Sequence, residues 1–120
     1  MLSYEIQSFG QRLGLESLSL NHDGMAQLNI EGIGSFFLEL DEKNGRQELL
    51  VYLSAQLPDH DVTTPRRLLE ACDYRRANPM PLSVGVFSSR AILLTRMDVQ
   101  SVTAASIENS LRFLADVLYA

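Results

Sequence analysis

The 120-residue sequence holds a single cysteine, Cys72, so no disulfide can form within the chain. The fold therefore does not depend on an oxidising compartment, and cytosolic residence is the expectation. Basic residues are few: ten Lys and Arg stand against fifteen Asp and Glu, a net charge of −5. That balance repels phosphate backbones and anionic lipid, which argues against nucleic acid and membrane surfaces as partners. Long apolar runs are missing as well. The opening MLSYEIQSFGQRLG carries a charge or an amide every few residues, so it reads neither as a signal-peptide core nor as a membrane span, and the chain is expected to start as it stands. No linker rich in Pro, Gly or Ser, no internal repeat and no low-complexity tract breaks the sequence, so one domain over residues 1–120 is expected.

What is present is ordinary globular material, 46 % hydrophobic and 21 % charged, enough for one modest core. Leu2, Ile6, Phe9 and Leu13 recur at spacings of four, three and four, which predicts an amphipathic helix, with Gly14 placed to close it in a left-handed cap followed by Leu15. A short apolar alternation at Leu18 and Leu20 runs into Asn21-His22-Asp23-Gly24, a tight-turn signal. Three alternating segments follow: residues 25–31, residues 35–41 and residues 47–57. They are joined by Gly32-Ile33-Gly34 and by an Asn44-Gly45 hairpin, and form an antiparallel meander.

The central helix is predicted over residues 64–77, TPRRLLEACDYRRA. Thr64 is placed as its cap, Pro65 in its first turn, and Asn78, Pro79 and Pro81 end it. Leu68, Leu69, Ala71 and Cys72 gather on one stripe, where Cys72 reads as a small buried hydrophobe. Residues 82–87 and 91–97 are two further strands around a Ser88-Ser89 turn, and Ser83 and Gly85 leave one face of the first open to a close neighbour. Thr103 is placed to cap a last helix carrying Ile107, Leu111, Leu114 and Leu118. The order αβββαββα is an α+β fold, a twisted antiparallel sheet packed with helices.

No pattern carries catalytic or metal chemistry. Asp59-His60-Asp61 has no second ligand cluster and reads as a solvated loop. His22-Asp23 has no nucleophile in a recognisable elbow. Gly32-Ile33-Gly34 is followed by a strand, unlike a phosphate loop, and the loop beginning at Asp41 has Tyr52 where a calcium site needs a bidentate acid. Arg66, Arg67, Arg75 and Arg76 form a local basic face, read as an exposed helix side or a set of interface ion pairs.

Four stretches together resemble the class I type III secretion chaperones, the Tir chaperone family. They are the opening helix ending in RLGL at residues 12–15 and followed by a strand, EGIGSFFLEL at 31–40, LLEACDY at 68–74, and LSVGVFSSRAILLTRMD at 82–98 leading into an amphipathic helix. The resemblance implies a homodimer without enzymatic activity or cofactor. Such a protein holds the N-terminal chaperone-binding segment of a secreted effector extended around the dimer, and delivers it to the export apparatus and its ATPase. It implies a dimer interface on Leu68, Leu69, Cys72, Tyr74, Val84 and Val86. It also implies effector contacts among the apolar positions Ile6, Phe9, Leu18, Leu20, Leu28, Ile30, Phe36, Leu38 and Leu40.

The residues carry a compatible reading without the family. Three amphipathic helices and five strands have more apolar faces than one thin core covers, so the surplus should meet another chain, by face or by strand addition at a sheet edge. Many of these positions, Phe9, Leu13, Leu28, Leu38 and Val51 among them, are also natural intramolecular core. A small α+β oligomerisation or regulatory module, or a heterodimeric subunit of the same fold, is the alternative reading.

Overall fold

The structure is a computed structural model and describes residues 1–73 and 77–120, with Phe87 described at the backbone only. Its elements are α1 (Leu2–Arg12), β1 (Met25–Ile30), β2 (Gly34–Lys43), β3 (Arg46–Gln56), α2 (Thr63–Ala71), β4 (Ser83–Phe87), β5 (Arg90–Asp98) and α3 (Ala104–Leu118), with a 3-10 turn at Val99–Ser101. The order is the αβββαββα of the sequence reading. All strands are antiparallel and lie in the order β1-β2-β3-β5-β4, so β1 and β4 are the sheet edges.

Register decides which side of each strand is dry. The row Leu28–Phe36–Leu53–Leu93–Val84 crosses all five strands, and Ala26–Leu38–Val51–Thr95 lies beside it. Phe36, Leu38, Val51, Leu53 and Leu93 are essentially solvent-free, and Ile6, Phe9, Leu68, Ile107 and Leu114 close the same core from the helices. Alternation of period two puts the remaining strand residues on the opposite face, away from this core.

Local signals hold the ends of the elements. The Leu15 amide donates to the Gly10 carbonyl (2.8 Å) and the Gly14 amide to Gln11 (3.1 Å), with Gly14 at φ +84°, so α1 ends in the left-handed cap the sequence predicts. Asn44 and Gly45 both have positive φ and join Lys43 to Arg46 in a two-residue hairpin. Thr103 caps α3 by a reciprocal exchange with Ser106, which the sequence reading had only as a cap.

The central helix differs from its prediction at both ends. It begins at Thr63, and the acceptor of its first-turn amides is Asp61, whose Oδ1 lies 3.0 Å from the nitrogens of both Thr63 and Thr64. It stops at Ala71, because the Asn78 side-chain amide donates to the Ala71 carbonyl at 2.9 Å and satisfies a group the next turn would have used. Tyr74, Arg75 and Arg76 lie outside the described residues.

α3 is tied down by the other two helices. Glu5 of α1 accepts from the Ala104 amide at 2.9 Å, and Arg67 of α2 donates to the Val117 and Leu118 carbonyls at 2.6 and 2.7 Å. A carboxylate at the N-terminus and a guanidinium at the C-terminus both complement the helix dipole and stabilise α3. The Tyr119 hydroxyl donates to the Ile33 carbonyl, joining the end of α3 to the β1–β2 turn.

Candidate partner-binding surfaces

Three surfaces remain once the core is filled. The first is the sheet face away from the helices, where the row Gln27–Phe37–Tyr52–Leu94–Ser83 is flanked by Asn29–Ser35–Ser54–Ile92–Gly85. Phe37, Leu50, Tyr52, Ile92 and Leu94 are half-buried there, and the Phe37 and Tyr52 rings stack at 4.8 Å and 15°. Tyr52 donates to Glu39 at 3.3 Å. Its hydroxyl pKa is raised, first by burial and then by the Glu39 charge, so the ring stays neutral. One end of the face carries the acidic row Asp41–Glu48–Asp98, answered by Arg46 on Asp98 and Arg96 on Glu48, each at 3.6 Å. The apolar members of this face are not among the positions that the family resemblance implies. The available signal was that Phe37, Leu50, Tyr52, Ile92 and Leu94 occupy the parity that alternation assigns to polar residues.

The second surface lies along α1. Leu18 and Leu20 pack on the core while Ser17 and Ser19 face outward, an alternation proper to a strand. Among the described residues, no backbone hydrogen bond ties residues 17–20 to any element. Gly10 lets this segment approach α1, since a Cβ there would fall 2.6 Å from the Leu18 Cβ. A groove of about 360 Å³ runs between Tyr4 and Gln7 on one wall and Ser17 and Leu18 on the other. Tyr4 on its wall is exposed, as are Leu13 and Leu15 past the end of α1, Leu13 contrary to its expected place in the core, because the helix ends at Arg12 and turns it outward.

Of the expected effector contacts, Ile6, Phe9, Phe36 and Leu38 are fully buried within the chain, whereas Leu18, Leu20, Leu28, Ile30 and Leu40 are half-buried. The third surface is α2 with β4. Leu68 and Leu69 do not share a stripe: Leu68 is 0 % exposed and Leu69 is 54 % exposed. Cys72 is half-buried with its thiol on the Leu69 carbonyl, and Val84 and Val86 turn their side chains toward the core. Tyr74 is outside the described residues.

The loop signals settle structurally. Asp61 is spent on the α2 N-terminus, and its pKa is lowered, first by the hydrogen bond from the Thr64 side chain. His22 and Asp23 face solvent 3.6 Å apart. Among the described residues no group of three or more His, Cys, Asp or Glu is arranged to hold a metal, and no helix is long and apolar enough to cross a membrane.

This architecture has close counterparts among solved structures. The HopA1–SchA chaperone–effector complex aligns with 97 % of this chain and 88 % of its own at TM-score 0.74 and 15 % identity. The ExsC–ExsE complex aligns with 96 % and 86 % at TM-score 0.74 and 24 % identity. The Yersinia pestis type III secretion chaperone SycH, solved with a stable fragment of YscM2, aligns with 98 % and 99 % at TM-score 0.64 and 19 % identity. At these identities the likeness is one of fold. No curated protein matches the chain significantly in sequence. The profile of the Tir chaperone protein (CesT) family, however, matches residues 5–118. With nearly its whole length inside that profile and its αβββαββα fold superposing on a chaperone–effector complex and on a type III secretion chaperone, the chain belongs to the Tir chaperone protein (CesT) family.

Proposed function

We propose that this type III secretion chaperone binds the N-terminal chaperone-binding segment of a secreted effector, keeps it extended and secretion-competent, and passes it to the export apparatus and its ATPase. The observation that carries the reading is family membership over residues 5–118, in a fold that leaves apolar surface on α1 and on the open sheet face. HopA1–SchA is itself a chaperone–effector complex.

An extended segment fits the α1 groove best. The backbone of residues 17–20 is free to pair with an added strand, and Tyr4, Leu15 and the exposed parts of Leu18 and Leu20 supply apolar contacts. Leu28, Ile30 and Leu40 continue that apolar line along β1 and β2. The buried Ile6, Phe9, Phe36 and Leu38 support it from beneath.

The chain works as a homodimer. Leu69 and Cys72 of α2, with the β4 edge bearing Val84 and Val86 and the adjoining open face of β5 at Ile92 and Leu94, form the surface for the second copy. At about 25 cal/mol per Å², a few hundred Å² of such surface outweighs any exposed ion pair of the chain. Function is by binding alone, in the cytosol, with neither catalytic step nor cofactor.

The test is co-expression with the secreted proteins encoded beside the gene, followed by limited proteolysis. A stoichiometric complex whose protected fragment comes from the effector N-terminal region is expected. An effector that is secreted and stable in the absence of the chain, with no protected fragment in its presence, overturns the reading.

A further inference from the structure

Every arginine of the sheet but one faces a carboxylate. Arg46 lies 3.6 Å from Asp98 and Arg96 lies 3.6 Å from Glu48. Arg90, at the opposite end of β5, has among the described residues a single hydrogen-bond partner, the neutral Ser54 hydroxyl at 2.7 Å. Ser54 is itself 8 % exposed, so one edge of the guanidinium is held in place by a buried group, while among the described residues no further side chain or carbonyl bonds the rest of its fork. The fork opens on a cleft of about 540 Å³ beside the β1–β2 turn, whose other polar walls are Asn29, Ser35, Gln56 and Tyr119, with Glu31 on an exposed corner. Gly34 shapes its floor: with φ at +145°, a Cβ there would strike the Ser54 carbonyl at 2.5 Å.

We propose that this cleft is a carboxylate-recognition site, in which Arg90 clasps an Asp or Glu side chain of the extended segment the chaperone carries. One guanidinium among amides and hydroxyls, with the single carboxylate of Glu31 held out on the exposed corner, suits a singly charged planar acid, taken by two parallel N–H···O bonds. A phosphate carries about two charges and would find a single cation with Glu31 nearby, a poorer match. The site adds a polar register mark to otherwise apolar contacts: it selects where along the segment an acid must fall. The assignment of the carboxylate to a carried segment rests on the effector-binding reading, whereas the chemistry of the cleft does not.

The experiment is NMR titration of the intact protein with the capped tripeptides Gly-Asp-Gly and Gly-Asn-Gly and with acetate, following the Arg90 Nε–H and the amides of Gly34, Ser54 and Gln56. A saturable response to the Asp peptide, about tenfold weaker for the Asn peptide, is expected, since charge-assisted bonds are about twice as strong as neutral ones. Arg90→Gln should abolish it, and Arg90→Lys, which keeps the charge but loses the fork, should weaken it severalfold while the rest of the spectrum is unchanged. Equal responses to the Asp and Asn peptides, or a response that survives in both variants, overturn the site. Acetate binding as tightly as the Asp peptide overturns the assignment to a peptide side chain. Because no effector is used, a negative result here leaves the chaperone reading standing, and a failed effector pull-down leaves this result intact.

Discussion

Gly34 is the residue on which the β1–β2 turn depends. Its φ of +145° disfavours any side chain, and a Cβ would also meet the Ser54 carbonyl of the neighbouring strand at 2.5 Å. Gly32, two residues earlier, has φ +79° but open space around it. Gly34→Ala should therefore cost about 2 kcal/mol or more, and Gly32→Ala only about 1 kcal/mol, in urea unfolding monitored by circular dichroism. Equal losses would mean that backbone conformation alone, and not the close approach to β3, sets the requirement. Tyr52 offers a second residue-scale test. Its folded pKa is raised, so the folded state holds that proton more tightly than the unfolded chain. The contribution is complete below the ordinary tyrosine pKa and is lost as pH rises through the higher folded value. Tyr52→Phe should flatten the alkaline fall in stability in that window; an unaltered profile would assign the fall to other groups.

At the scale of the element, the helices are held by one another's termini more than by their own propensities. α2 has nine residues, too short to be stable alone, and is fixed by Asp61 before it, Asn78 after it and Leu68 beneath it. Its Arg67 clasps the last carbonyls of α3, a role that the basic run Arg66-Arg67 does not advertise. Arg67→Ala should lower stability by about 2 kcal/mol, with the loss concentrated in faster hydrogen exchange at the end of α3. Arg67→Lys should recover only part, because an ammonium cannot donate to both carbonyls in the same geometry. Full recovery by lysine would show that charge at the helix end, and not the fork, is what matters.

At the scale of the whole molecule, the described helices pack their apolar residues against one face of the sheet, and the proposed dimer can be tested separately on the exposed side of α2 and on the opposite sheet face. Leu69 is exposed, so Leu69→Asp should leave the monomer folded while shifting light-scattering mass from dimer to monomer at tens of micromolar. Leu68→Asp should unfold the chain instead, since Leu68 is itself fully buried. Phe37→Asp, on the β2 half of the open face, should leave the dimer intact. If Phe37→Asp dissociates it and Leu69→Asp does not, the second copy sits on the centre of the open sheet and α2 is free.

Much of this architecture was legible from the chain alone, because the relevant signals act over a few residues. The order of elements, the Gly14 cap, the Asn44-Gly45 hairpin, the Thr103 cap and the net negative charge all follow from local periodicity, turn chemistry and composition. What the tertiary structure decided was the fate of apolar residues that local rules treat alike: Leu68 inward and Leu69 outward, Phe36 sealed and Phe37 open, Ile6 and Phe9 committed to the core where a binding patch was expected. Periodicity states that a helix or strand has two faces. Which face is dry depends on register with strands far along the chain and on where the other helices end, and those are long-range contacts that no short window contains.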